Sequence, residues 1–513
     1  MTNLALMGVD IGTSSTKTII VRPDGAVLGL AAQEYAVETP RPGWAEQNPE
    51  TWLNAALDTM RRALVAADIS AEQVRAIGLS GQMHGTVCLD RHGRALCPAI
   101  IWADQRSAAQ VAEVEARVGR ERLAAWTANP LATGFMLATW LWLREHEPDV
   151  ASATAYLLLP KDYVRYRFTG EIGAEPSDAS STLLFDTANR CWSMPLLDAF
   201  DLDARVLPPV AASASIAGGL LPEIAAATGL RPGTPVIYGG SDQAMQAVGH
   251  GVVVPGMLSS TIGTGGQLLA PIARPAYDPQ ARLHCFCHVM PEMWHLESAM
   301  LSAGLSLKWL RDKVMLALTY QEIADAAATV PPGAEGLFFL PYLAGERTPH
   351  MDSRARAGFV GLTLRHGRAH LARAVMEGVV FGMRQGLALM LDLGVIPERL
   401  IASGGATQHP LWLHLQADMF NRPLYQTTTV EAAAVGAALV AGVGVGIYAD
   451  VADAVAQAVR YAEAVVTPDA ENAARYAALA ETFTALYPAL APTYHAVGAR
   501  LQKSHEDSRL RLL

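Results

Sequence analysis

Residues 7–23, MGVDIGTSSTKTIIVRP, set a carboxylate beside a turn of small polar residues. The flanking apolar runs read as two strands, with TSST as the turn between them. Glycine lets backbone approach a ligand closely. Successive N–H groups in such a turn make an anion-binding nest. Asp10 stands at the edge of the nest Gly12–Ser15, where it would repel a phosphate unless a metal bridged the two. That pairing points to Mg²⁺-nucleotide chemistry; the plain alternative is a β-hairpin with a surface aspartate. A second run, GGSDQ, puts Asp242 after an apolar strand and three small residues. A carboxylate exposed there suits a general base that takes a hydroxyl proton during phosphoryl transfer. Ser241 or Asp242 could equally cap a helix over SDQAMQAVG.

Three further runs carry ligand-binding residue types. In GQMHG, Gln82, Met83 and His84 lie between glycines that expose backbone to a small polyol. In WADQR, Asp104 offers an acceptor for sugar hydroxyls and Trp102 a flat wall, although Arg106 could simply pair with Asp104. In SGGATQHPLW, Gly404 and Gly405 bring backbone close to something flat or charged, such as adenosine or an α-phosphate. TIGTGG supplies a second nest, Gly263–Gly266. No G-x-G-x-x-G opens a helix after a strand with a distant acid, so dinucleotide binding is not expected. A Walker G-x-x-x-x-G-K-[ST] motif is missing too, and no G-x-S-x-G elbow supports a serine hydrolase.

The elements that must place these residues read as mixed α/β. Strands MGVDIG, KTIIVRP and AVLGLAAQEY precede a helix from about Pro49 to Ala67 and a strand VRAIGLSGQ. Residues 104–155 read mostly helical. The second half repeats the opening theme, with strand, Gly/Thr turn and strand over Gly256–Ile272. LFFLPYL reads as a central strand. Apolar and small residues at 3–4 spacing over residues 371–390 predict one long helix. RLIASGGA is a strand entering a glycine turn, followed by an amphipathic helix, PLWLHLQADMF. Two similar halves meeting across a cleft would aim both nests at one polyphosphate.

A chain of 513 residues exceeds one core, and half of it is apolar, the balance of a globular protein. A net charge of −10 without a basic block argues against a nucleic-acid partner. No leader is visible, and the uncharged run Ala432–Ala449 is mostly Ala and Gly, so a buried helix is expected rather than a membrane span. The basic end KSHEDSRLRLL reads as a frayed terminus. Five cysteines without a C-x-x-C point to reduced thiols and a cytoplasmic setting. Cys285 and Cys287 in HCFCHV share a strand face, where packed thiols are a simpler reading than a metal.

Taken together, GVDIGTSSTK, GWAEQNPETW, GLSGQMHG, AIIWADQR, LLLPKDYVRYRFTGE, SDASSTLLFD, GGSDQA, FLPYLAGERTPH and SGGA…EAAAVGAAL resemble the FGGY carbohydrate kinase family from about Met7 to the early 480s. The resemblance implies two ribonuclease-H-like (actin-like ATPase) α/β domains flanking a central cleft. They would be a sugar-binding domain at 1–249, an ATP-binding domain at 250–485 and a tail at 486–513. GQMHG with LPKDY and GERTPH points to kinases of xylulose rather than glycerol. This implies ATP-dependent phosphorylation of D-xylulose at O5, with ribulose, L-xylulose or glycerol as the alternative acceptors. Asp242 matches the family's catalytic base and Asp10 the acid that organises Mg-ATP. Gln82, Met83, His84, Asp104 and Gln243 fall at sugar-binding positions. Gly12, Thr13, Ser14, Lys17, Gly263, Thr264, Gly265, Gly404, Gly405 and Ala406 fall at ATP-binding positions. Homodimers are common in the family. The chain departs from it at Thr139, where a Lys is usual, and at Ala103, Gln243 and Gly265, where Asn, Asn and Ser are common.

Overall fold

A computed structural model describes residues 4–510, with side chains through Val497. The chain divides into two units. The first comprises Met1–Val254, Pro271–Leu296 and Thr428–Arg460; the second comprises Pro255–Ala270, Glu297–Thr427 and Tyr461–Leu513.

In the first unit Ala5–Ile11 and Val74–Gly81 run parallel at the centre of a mixed sheet. Ser15–Val21 pairs antiparallel with Ala5–Ile11, and Val27–Glu34 pairs with it in turn. On the other side of Val74–Gly81 lie Pro235–Ile237 and Gly240–Ser241, both parallel to it. Helix Pro49–Ala67 covers one face. Its start is fixed by Asn48, whose side chain accepts from the Glu50 N–H, and by Pro49 in the first turn. Helix Ala432–Gly444 packs against the same sheet. It comes so close that a Cβ on Gly8 would fall 1.8 Å from the Ala434 carbonyl oxygen, and one on Gly78 2.0 Å from that of Ala437. The Ala/Gly run of residues 432–444 is therefore a close-packing helix, as its composition suggested.

The second unit repeats the core motif. Met257–Ile262 pairs antiparallel with Gly266–Ile272 and parallel with Arg399–Ser403, as Ala5–Ile11 does with its two neighbours. Leu424–Gln426 continues the parallel side. Helix Arg368–Asp392 is long and apolar enough to cross a membrane, and most of it is buried inside the fold.

Two expectations need correction. Phe338–Leu340, from the run read as a central strand, pairs only with Gly358–Val360 in a separate two-stranded ribbon. Its apolar character comes from helix Arg368–Asp392, packed so closely that a Cβ on Gly378 would meet the Phe339 carbonyl oxygen at 2.1 Å. The C-terminal segment is not a frayed end through Leu510: helix Ala470–Leu510 runs across it, with Pro488 and Pro492 inside. Residues 511–513 of that expected tail lie outside the described residues.

Candidate active site

Asp10 and Asp242 belong to one edge of the first unit's sheet. Strands Ala5–Ile11, Val74–Gly81 and Gly240–Ser241 are parallel neighbours, with Asp10 opposite Ser80 and Gly240 opposite Ser80 on the other side. Asp242 follows directly. Both carboxylates thus arise at the carboxyl ends of parallel strands, where open α/β sheets bind ligands. The Ser80 hydroxyl donates to Asp10 Oδ1 at 2.8 Å. Burial pushes the Asp10 carboxyl above its ordinary range, while Ser80 and the Lys17 ammonium pull it back. Lys17 faces Asp10 across the hairpin and pairs with Glu431 at 2.6 Å, at the start of helix Ala432–Gly444. Of the two capping alternatives at Asp242, Ser241 is the cap: its hydroxyl accepts from the Ala244 N–H, and Asp242 opens helix Asp242–Gly249. The helix dipole favours an anionic side chain there.

Thr13, Gln82 and Trp102 form one network around the first nest. The Trp102 indole donates to Thr13 Oγ1 at 2.8 Å, and that hydroxyl donates to Gln82 Oε1 at 3.2 Å. The Gln82 amide donates to Gln47 Oε1, which also accepts from Trp52. Gly12 N–H closes the turn on the Ser15 carbonyl, and the Tyr35 hydroxyl donates to the Gly12 carbonyl. Ser14 stays exposed, and Gln243 is half-buried beside Asp242.

His84 sits in the left-handed region at φ 70°. Such a backbone costs about 1–3 kcal/mol and persists where surroundings over-determine it. Here its N–H donates to Ser181 Oγ and its Nδ1–H to the Ser181 carbonyl, while Phe135 lies 3.9 Å from its ring. Met83 is buried alongside. Asp104 is anchored by protein. Oδ1 accepts from the Arg106 N–H and Nε–H, and Oδ2 from the Ala45 N–H and the Arg106 guanidinium. Arg106 also reaches Glu46 at 2.6 Å and stacks on Trp44. The Arg106 pairing left open by the sequence is the one formed. Both carboxylate oxygens are engaged, so Asp104 anchors this turn rather than offering an open acceptor.

The second unit holds a cavity of about 410 Å³. Gly263, Thr264, Gly405 and Ala406 line one part of it, so the two glycine turns singled out in sequence meet at one place. Leu305, Leu307, Ala324, Tyr320 and Trp412 supply apolar wall, and Lys308, Gln321, Gln408 and His409 the polar groups. Leu305, Leu307, Lys308, Tyr320, Gln321 and Ala324 were not foreseen; they come from helices Gly304–Trp309 and Tyr320–Ala328, distant in sequence from the two turns. The Gly263 and Thr264 carbonyls accept from the Gly304 and Leu305 N–H groups, which leaves an anion fewer repelling oxygens. Gly404 has φ 82°, and a Cβ there would lie 2.5 Å from the Ile262 carbonyl oxygen. Gly265 is backed by the Met300 carbonyl, 2.7 Å from where a Cβ would stand. That backing segment is fixed by Glu346, whose carboxylate accepts from the Leu301 and Arg347 N–H groups. Burial pushes the Glu346 carboxyl up to about 8.

Cys285 and Cys287 are buried free thiols, and burial pushes each up to about 12. Among the described residues no group of three or more His, Cys, Asp or Glu could hold a metal by itself.

Residues 5–249 match the model of the FGGY family of carbohydrate kinases, N-terminal domain, and residues 258–445 that of its C-terminal domain. The chain belongs to the FGGY family of carbohydrate kinases, enzymes of two actin-like domains that take ATP as phosphoryl donor. It is similar to the xylulose kinase of Escherichia coli (strain K12), at 38% identity over 95% of this chain and 99% of that one. In structure it is similar to a ligand-bound xylulose kinase from Lactobacillus acidophilus, with TM-score 0.92, 26% identity, and coverage of 96% and 99%. A gluconate kinase from the same organism matches with the same TM-score, identity and coverage. The chain is thus an ATP-dependent sugar kinase of the xylulose kinase type.

Proposed function

We propose that this protein transfers the γ-phosphoryl group of ATP to O5 of D-xylulose, giving D-xylulose 5-phosphate and ADP. The observation that carries the reading is the placement of Asp10 and Asp242 on either side of strand Val74–Gly81, at the same sheet edge. Likeness to xylulose kinases over nearly the whole chain supports the acceptor. In this reading the sugar is bound by first-unit residues, with Met83 and His84 presenting the turn and Gln82 stiffening it. The nucleoside occupies the second unit's cavity, between the Gly263–Gly265 and Gly404–Ala406 turns.

Asp242 accepts the O5 proton as the hydroxyl attacks phosphorus, and the phosphoryl–ADP bond breaks on the opposite side. The N–H groups of the glycine turns stabilise the charge that develops on the phosphoryl oxygens. Asp10 is a hard oxygen donor braced by Ser80, and is the side chain that would hold a Mg²⁺ ion here. Bound there, the ion would offset phosphate charge.

The test is ADP release from Mg-ATP across D-xylulose, L-xylulose, D-ribulose, L-ribulose, D-fructose, glycerol and D-gluconate. Highest kcat/KM is expected for D-xylulose. The equal structural match to a gluconate kinase favours gluconate as the second reading, and a preference for it would move the specificity to Ala103 and Gln243. No stimulation by any sugar would remove the proposal.

A further inference from the structure

Five charged side chains lie fully buried beneath the first unit's sheet edge: Lys161, Asp162, Arg165, Glu175 and Asp178. The Lys161 ammonium touches three carboxylates, Asp162 at 2.8 Å, Asp178 at 3.2 Å and Glu175 at 3.4 Å, and Arg165 reaches Asp162 at 3.1 Å. Burial pushes the Asp178 carboxyl up to about 8, against the pull of Lys161. Charge of this kind is expensive to bury and survives only when its geometry is closed by further hydrogen bonds.

Those further bonds lead in two directions. On one branch, Glu175 Oε1 accepts from the Ser177 hydroxyl, and Ser177 Oγ accepts from the Ser241 N–H at 2.9 Å. Ser241 caps the helix that begins at Asp242. On the other branch, Asp178 Oδ1 accepts from the Ser181 hydroxyl, and Ser181 receives both the N–H and the Nδ1–H of His84. That second pair engages His84 at its positive φ. The same lysine also supports the strand between them: a Cβ on Gly81 would stand 2.8 Å from Lys161 Cβ.

We propose that Lys161 is a shared positioning residue, fixing the Asp242 helix start through Glu175 and Ser177 and the His84 turn through Asp178 and Ser181. This rests on the reading above, in which Asp242 is the base and the His84 turn meets the sugar. The two branches separate kinetically. Loss of the first misplaces the base without touching the sugar turn; loss of the second loosens the turn without moving the base.

The experiment is steady-state kinetics of Ser177→Ala and Ser181→Ala with the sugar that wild type prefers, with Tm recorded for each. Ser177→Ala is expected to lower kcat about tenfold with sugar KM unchanged. Ser181→Ala is expected to raise sugar KM about tenfold with kcat unchanged. ATP KM stays at the wild-type value in both. Lys161→Met, where it folds, moves both parameters; Lys161→Arg, which keeps the charge, recovers part of each. Asp242→Asn is run alongside. An inactive Asp242→Asn with no split between the serine variants overturns this inference alone. Wild-type turnover in Asp242→Asn overturns the base assignment and the inference with it.

Discussion

Gly405→Val tests the nucleoside cavity with little interference from folding. A Cβ built on Gly405 meets no atom within 4 Å, and its backbone lies outside the left-handed region, so a side chain there starts from open space on unstrained backbone. Gly405 nevertheless lines the cavity, and the isopropyl group would occupy space there. A bulky group forced against a bound ligand costs about 1–3 kcal/mol. That corresponds to a rise of about 5- to 150-fold in ATP KM. The assay is ADP formation at saturating sugar with ATP varied, beside a thermal melt. ATP KM should rise within that range, sugar KM should hold, and Tm should shift little. Gly404→Val is the contrast: with φ 82° and the Ile262 carbonyl oxygen 2.5 Å from a Cβ, it should lower Tm clearly. An unchanged ATP KM in Gly405→Val, or a parallel rise in sugar KM, would refute the assignment of this cavity to the nucleoside.

Asp242→Ala should lose about 10²- to 10⁴-fold in kcat while ATP binding, measured by calorimetry, persists; near-normal turnover would remove the base. Glu346→Gln should change how stability depends on pH. The folded carboxyl is raised from 4.5 to about 8. The folded chain therefore binds more protons than the unfolded one between those values, and this group makes unfolding free energy fall as pH rises from 4.5 to 8. Thermal melts across that range should fall less steeply in Glu346→Gln, and an identical slope would contradict the buried, proton-bearing state.

Local chemistry made much of the fold legible. Helices Pro49–Ala67 and Pro410–Phe420 begin at proline and end at residues in the left-handed conformation, Asp68 and Asn421. Those stop signals are written in the residues themselves. The two hairpins were legible because a glycine-bearing polar turn between apolar runs has few other uses. LFFLPYL misled because an apolar run says only that it is covered, and a helix covers it as well as neighbouring strands do. The candidate site was legible where a motif supplies both residue and turn, as at Asp10, Asp242 and Gly405. It was hidden where partners come from afar. The Arg106 partner of Asp104 lies two residues on and could be weighed, but nothing local showed that the Ala45 N–H would engage the same carboxylate. Lys161 sits in a motif whose charged letters read as solvent-facing on any local scale, and its burial depends on Glu175 and Asp178 further along the chain. Tyr320 and Trp412 line one cavity from positions about ninety residues apart, which no window of local pattern reaches.

Gly8→Ala connects this packing to the chemistry. Gly8 lies two residues before Asp10 on the same strand, and the added Cβ would stand 1.8 Å from the Ala434 carbonyl oxygen. Backbone cannot yield as a side-chain tip can, so helix Ala432–Gly444 must move or the strand must bend. Overpacking of this kind costs about 1–3 kcal/mol or more. The helix starts just after Glu431, which pairs with Lys17 at 2.6 Å, and Lys17 is the cation facing Asp10 across the hairpin. A displaced helix therefore loosens the ion pair beside Asp10 as well as the core. The expected result is a lower Tm together with a raised ATP KM or Mg²⁺ requirement. Cavity-forming Met60→Ala serves as the comparison, since Met60 is buried on helix Pro49–Ala67 and has no such link. If Gly8→Ala lowers Tm as Met60→Ala does but leaves the ATP and Mg²⁺ dependence at wild type, the close-packed helix serves stability alone, and its connection to Asp10 through Glu431 and Lys17 is refuted.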